Sequence, residues 1–485
     1  MRAFNAIVGL TLRNAIRSHV FQLLLALLIF AVCVIPTSIG GGSPQDFIRV
    51  SLFYSIGAIT LILALSSLWL GCFAMTRDVE NYQLHMVVCK PVARWQIWLG
   101  KWVGINIINF VLLIISMLVV YFAILYRFNN EDSFSADDRQ KIADEVLVGR
   151  RVYLPVTPDF EKIAVNYVDM LNQKRQKNGQ PGYTQEEQDK LIKEAKQQLS
   201  SYVVLPESDK IKAEERAEAA KKGEVKLDND MDIKRPGRWV FKGVPRNGST
   251  MYLRYRPYLD QVSTEKQRYT DLMWGAWVSQ GGAEAFAPFS TPQRVFSGEF
   301  HEFAIPGDWK IERADKDGDI ILEVRNFDPN GGKHYYQTDD GPKLMVKICG
   351  FFGNYCRAVV VVMIQLLLLS GMACAFGGFL TMPTAIFMMV SYLLFGSIAS
   401  LLTDDSYFIS NNWDKMAQML SHALLLIVIP LQAFDVTELL ANGELIEFSF
   451  IGKLFLEYFL LRGVPLCLFG IWLYSRKELA LAVRK

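Results

Sequence analysis

Residues 76–104 read TRDVENYQLHMVVCKPVARWQIWLGKWVG, and they separate two apolar runs that are each long enough to cross a bilayer. Arg77, Lys90, Arg94 and Lys101 outweigh Asp78 and Glu80, so the segment carries net positive charge. That charge marks a cytoplasmic loop, because Lys and Arg collect on the inner side of membrane proteins. Val79, Leu84, Met86, Val87 and Val88 interleave with polar residues, which suits a short amphipathic helix lying on the membrane face. Pro91 then breaks that helix, since its ring cannot continue the hydrogen-bond ladder. Trp95, Trp98 and Trp102 follow at helical spacing and read as an interfacial belt leading into the next span.

Glu80, then Lys90-Pro91-Val92-Ala93-Arg94, then Gly100-Lys101-Trp102-Val103-Gly104 together resemble the pattern of ABC-2 type transporter permeases. The branch they resemble is the permeases of multi-copper-enzyme maturation and gliding motility. Gln83 and Cys89 stand where that pattern usually has Thr and Ser. The resemblance implies a six-helix ABC-2 type bundle in which this loop is the coupling helix, docking on a separate ATPase subunit. Arg77, Asp78, Glu80, Lys90, Pro91, Arg94 and Trp95 are then the expected ATPase-coupling residues. Gly100 and Gly104 would let the third span pack closely. The resemblance further implies a second permease copy, identical or related, with export as the expected direction. ATP and Mg would sit on the partner, and this chain would carry no cofactor of its own.

The rest of the chain agrees with a polytopic helical membrane protein. Its 485 residues are 51% hydrophobic and 21% charged, but the charge is concentrated in the middle. A net charge of +2 gives no case for nucleic-acid binding. Residues 1–19 hold Arg2, Arg13 and Arg17 with no acid, as expected of an amphipathic helix on the inner leaflet. Apolar runs at 20–39, 51–75 and 101–126 form three spans within a first region, 1–126. A cleaved signal peptide does not fit the first run, because no A-x-A site follows it and a second span comes at once. Asn106 and Asn109 lie in the third span and read as helix–helix glue or a substrate contact.

Residues 127–347 are polar and form an inserted extracytoplasmic α+β domain of ordinary size. Its helical part covers 130–225, including a capping box at 184–187 and a charged helix at 208–222. Alternating runs such as Trp239-Val240-Phe241, 251–255 and 320–324 predict a β-sandwich of jelly-roll type over 236–345. Asp315-Lys316-Asp317-Gly318-Asp319 suits a hairpin turn better than a calcium loop, since its glycine is misplaced for an EF-hand. None of the seven cysteines falls between 127 and 347, so no disulfide framework holds this domain.

The third region, 348–485, has spans at 358–376, 384–402 and 454–474. Basic residues at both ends place the N- and C-termini in the cytoplasm, so the number of crossings is even; the resemblance implies a bacterial inner membrane. Six crossings satisfy this if 413–445 re-enters rather than spans. Glu457 and Arg462 lie inside the sixth span, where charge is unfavourable and marks a functional candidate. Arg462 either snorkels to the surface or pairs with Glu457, although i,i+5 is a poor spacing on an α-helix. No phosphate-cradling G-x-x-x-x-G-K-[ST], no H-E-x-x-H and no G-x-S-x-G occurs, and the five histidines are scattered, so no enzyme or metal centre is expected in this chain. The scarcity of ionisable residues in spans one to five favours a lipidic substrate or none. The other expectation is therefore an ATPase-driven mechanotransmitter or scaffold, acting on an envelope or cell-wall partner without moving a substrate.

Overall fold

The computed structural model describes residues 2–38, 43–80, 93–156, 160–177, 179, 181–199, 201–204, 238–245, 250–259, 269–280, 283–305, 319–327, 333–337, 341–404 and 412–476. The chain divides into two compact units, Met1–Gly149 with Cys349–Lys485, and Arg150–Ile348.

In chain order the first helices are α1 (Arg2–Ile16), α2 (His19–Ser38), α3 (Pro44–Glu80), α4 (Arg94–Asn130) and α5 (Ala136–Glu145). The inserted unit follows with β1 (Val148–Tyr153), α6 (Phe160–Lys177), α7 (Gln185–Leu199), β2 (Ser201–Val204), β3 (Arg238–Phe241), β4 (Met251–Tyr255) and β5 (Tyr258–Leu259). It continues with β6 (Tyr269–Gln280), β7 (Ala283–Pro288), β8 (Gln293–Phe296), β9 (His301–Ile305), β10 (Ile320–Asn326), β11 (His334–Gln337) and β12 (Lys343–Gly350). The remaining helices are α8 (Phe351–Phe379), α9 (Met382–Asp404), α10 (Asn412–Ile427), a 3₁₀ turn at Leu431–Phe434, α11 (Thr437–Ala441) and α12 (Phe448–Arg476).

Among the described residues six helices (α2, α3, α4, α8, α9 and α12) are long and apolar enough to cross a membrane, so this is a multi-pass membrane protein with a separate β-rich unit. α8 is the hub and the most deeply buried of the six. It meets its neighbours through small residues. A Cβ on Gly71 of α3 would lie 2.5 Å from the Ala373 Cβ, one on Gly377 would lie 3.0 Å from the Cys72 Cα, and Gly470 of α12 abuts Ala375. Small residues favour helix association in lipid, where apolar side chains gain little by leaving one apolar surround for another.

α10 and α11 form a bent pair, with 59° between 419–426 and 431–441. Pro430 stands at the break, where it can donate no backbone hydrogen bond. This geometry fits either a broken span or the expected re-entrant segment.

The polar stretch after the third span does not all belong to the inserted unit, which begins at Arg150 rather than at 127. The cause is α5, which starts in a capping box between Ser135 and Asp138 and buries Ile142. Phe134 meets Phe47 edge-on at 6.3 Å, and Arg49 lies 3.9 Å from Glu145. These contacts hold α5 to the start of α3.

In the inserted unit the strands form three sheets, ordered β1-β12-β4-β9, β3-β10-β6-β7 with β8 beside β6, and β2-β11-β5. Alternation explains the common core: Ile320, Leu322 and Val324 of β10 point inward, as do Trp239, Phe241, Leu253, Trp274 and Tyr336. Arg150 is fully buried and forms an ion pair with Glu302. α6 and α7 pack on each other through Ala164 and Ala195. Glu187 accepts from the Thr184 N–H at 2.9 Å, as the capping-box reading requires. The expected helix at 208–222 and most of the 315–319 turn lie outside the described residues.

Candidate functional site

α3 ends at Glu80 and α4 begins at Arg94. Lys90 and Pro91 lie outside the described residues, and the side chains of Asp78 and Glu80 are likewise not described. The two bases of the loop are described in detail. The Arg77 guanidinium lies over the Phe73 ring at 5.0 Å. Arg94 Nη1 donates to the Ser475 carbonyl at 2.6 Å, joining the start of α4 to the end of α12. Trp95 is half-exposed, as an interfacial residue should be.

The next turn departs from the belt expected of it. Trp98 is buried, and its indole N–H donates to the Cys374 carbonyl at 3.3 Å. Trp102 stacks on Trp98 at 6.3 Å and donates to the Leu367 carbonyl at 3.2 Å. Both rings are therefore pinned to α8. Lys101 is no loop charge either: it is buried, and its ammonium donates to the Ala74 carbonyl of α3 at 2.5 Å. A buried ammonium needs acceptors in place of water, and backbone carbonyls of the neighbouring helix supply one here.

Gly100 and Gly104 are packing residues, and their partner is α1. A Cβ at Gly100 would come within 2.9 Å of Ile7 Cγ2, and one at Gly104 within 2.9 Å of Thr11 Cβ. Thr11 turns its hydroxyl to the Ile7 carbonyl at 2.9 Å, leaving its methyl side for the approach. The N-terminal helix is thus fitted against the base of α4.

The Glu457–Arg462 pair forms a second centre. Arg462 Nη2 meets Glu457 Oε1 at 2.9 Å, and its guanidinium stacks on Tyr458 at 4.8 Å. Arg462 Nη1 also donates to the Leu425 carbonyl and, at 3.3 Å, to that of Val428. These carbonyls lie where α10 stops, and a helix end within a membrane must find donors for its last carbonyls. Arg462 supplies them, so this charge ties α12 to the bent segment.

Between the spans, Asn109 Nδ2 donates to Ser67 Oγ at 2.8 Å, and Ser370 Oγ donates to Asn106 Oδ1 at 3.0 Å. Both contacts join helices, which favours the glue reading. Among the described residues no group of His, Cys, Asp and Glu is placed to hold a metal ion. The residues that sequence reading missed are Gly71, Gly470 and the acceptor carbonyls of Leu367, Cys374 and Ser475. The run of small residues at 371–378 was the available signal for the first two, whereas backbone acceptors leave none. No protein-family model matches the chain, and neither characterised proteins nor solved structures give a match.

Proposed function

We propose that this chain is the membrane-spanning permease subunit of an ABC-2 type exporter, driven by a separate ATPase that grips the loop between α3 and α4. The motif running from Glu80 through Lys90–Arg94 to Gly104 motivates the family, and the described loop bases supply the physical support. Arg94 binds α12, Lys101 binds α3, and Trp98 and Trp102 bind α8, so force applied at the loop would reach three helices directly. Stiff hydrogen-bonded attachments at the base suit a handle, because a loose base would absorb the stroke. A second permease copy, the bacterial inner membrane and cytoplasmic termini belong to the same proposal.

Co-expression with candidate ATP-binding subunits, purification and reconstitution in vesicles tests it. The intact pair should hydrolyse ATP faster than the ATPase alone. Glu80→Gln with Lys90→Gln should keep the complex inserted and abolish that stimulation. Failure of every nucleotide-hydrolysing protein to cross-link to residues 78–95 would overturn the reading. The mechanotransmitter alternative draws on the inserted unit, whose two chain connections run through neighbouring strands, β1 and β12. It predicts ATP hydrolysis that depends on an envelope partner and moves no solute.

A further inference from the structure

α4, α8 and α12 enclose an apolar slot of about 840 Å³, bounded by Met117, Tyr121, Tyr355, Val360, Gly452 and Phe455. That volume lies within the roughly 300–1,000 Å³ typical of small-molecule sites. A second pocket of about 150 Å³ lies between the same three helices beside Trp102 and Phe459, and Leu367 lines both. The Tyr355 hydroxyl is already satisfied, donating to the Met117 carbonyl at 2.7 Å. A Cβ on Gly452 would meet nothing within 4 Å, so the wall there is open.

The mouth is not apolar. Arg357 lies over the ring of Phe448, which lines the slot, at 4.1 Å, and donates through Nη1 to the Ile446 carbonyl at 3.1 Å. Among the described residues, its Nη2 and Nε have no hydrogen-bond partner. Glu447, next in sequence to Ile446, already accepts from Ser449 Oγ at 2.9 Å. An apolar furrow along three spans, with a half-free guanidinium beside it, matches an acyl chain that ends in an anion. We infer that the slot is a binding site for an anionic glycerophospholipid, with one acyl chain between α4, α8 and α12 and the phosphate against Arg357. Arg suits that task because its planar fork can take two phosphate oxygens at once. The site depends only on the membrane bundle, so it stands or falls separately from the ATPase reading.

The test uses the full chain in vesicles of phosphatidylethanolamine and phosphatidylglycerol, the latter carrying a photoactivatable diazirine on one acyl chain. After illumination, adducts should concentrate on 110–121, 352–367 and 448–455, several-fold above the exposed face of α9 at 387–398. Gly452→Leu, which grows into open space, should cut the slot adducts several-fold and leave those on α9 unchanged. With the diazirine moved to phosphatidylethanolamine for comparison, Arg357→Gln should erase the preference for phosphatidylglycerol over phosphatidylethanolamine, and Arg357→Lys should restore part of it. Even labelling of all spans would overturn the inference, as would slot adducts indifferent to Gly452→Leu. Chain-to-chain cross-links from the slot in place of lipid adducts would overturn it too, by showing that a second copy covers the slot.

Discussion

Arg462 reaches back five residues to Glu457, Nη2 to Oε1 at 2.9 Å, because the backbone between them is a π-helix from Leu454 to Gly463. In that geometry residues i and i+5 are the hydrogen-bonded neighbours, so a spacing that misaligns two side chains on an α-helix aligns them here. Such segments are rare and recur at functional positions. The arginine gains a second task from the same placement, since its other nitrogen serves the carbonyls at the end of α10.

Removing the arginine should therefore cost more than removing the acid. Arg462→Leu leaves Glu457 without its partner and the Leu425 and Val428 carbonyls without their donor. Both side chains are partly exposed, so the loss should fall between the values for surface and buried pairs, about 1–3 kcal/mol. Glu457→Leu should lose less, because Arg462 keeps its carbonyl contacts. Thermal unfolding in detergent, with the double variant closing the cycle, measures both.

Two glycines of α3 should respond oppositely to the same substitution. At Gly57 a new Cβ meets only Thr437 Cγ2 at 3.9 Å, so Gly57→Ala should stabilise the helix by about 0.5–1 kcal/mol. At Gly71 the new Cβ would strike that of Ala373 at 2.5 Å and crowd the Ser370 carbonyl at 3.2 Å. Gly71→Ala should therefore destabilise, by about 1–3 kcal/mol, since neither obstacle is the far end of a flexible chain. Denaturation midpoints of the two variants in one detergent decide the matter.

The Asn109–Ser67 contact should be worth little as an isolated pair. A double-mutant cycle of Asn109→Leu and Ser67→Ala is expected to give about 0.6 kcal/mol and no more than about 1.7, the range for interhelical hydrogen bonds in membranes. A much larger coupling would mark a role beyond gluing α3 to α4.

The inserted unit should weaken in acid through one histidine. His334 is fully buried against Thr270, and burial pushes its pKa down from 6.5 to about 4. A depressed histidine pKa means that the unfolded chain takes up a proton before the folded one does. The stability this neutral ring preserves is complete above pH 6.5 and declines as the pH falls from there to about 4, by about 3 kcal/mol in all. Hydrogen exchange of β11 and β6, measured at neutral and mildly acidic pH, should show that loss. His334→Phe should flatten the dependence.

How much of this was legible depends on the range of the interactions involved. The six apolar helices, α1, and the stretches that became β3, β4 and β10 could be read from local pattern, because hydropathy and alternation are local properties. The pairing of strands distant in sequence could not, since three sheets sharing one core are specified by contacts across the whole unit. Trp98 and Lys101 show a second limit: tryptophan and lysine near a span end read as interfacial by type. The carbonyls of Cys374 and Ala74, supplied by other helices, help make burial tolerable for them. Pairing Glu457 with Arg462 demanded a change of helix type, which no residue between them announces. The loop residues Lys90 and Pro91 lie outside the described residues, so their part in the site rests on the motif.

The small-residue surface of α8 has a mechanical corollary. Long side chains that interdigitate must disengage before two helices can slip past each other, whereas glycine set against alanine offers smooth faces with little to unlock. α3 and α12 both meet α8 in this way, through Gly71 and Gly470. The bundle is thereby suited to shear, with neighbouring spans gliding along the central one while the contact between them stays close.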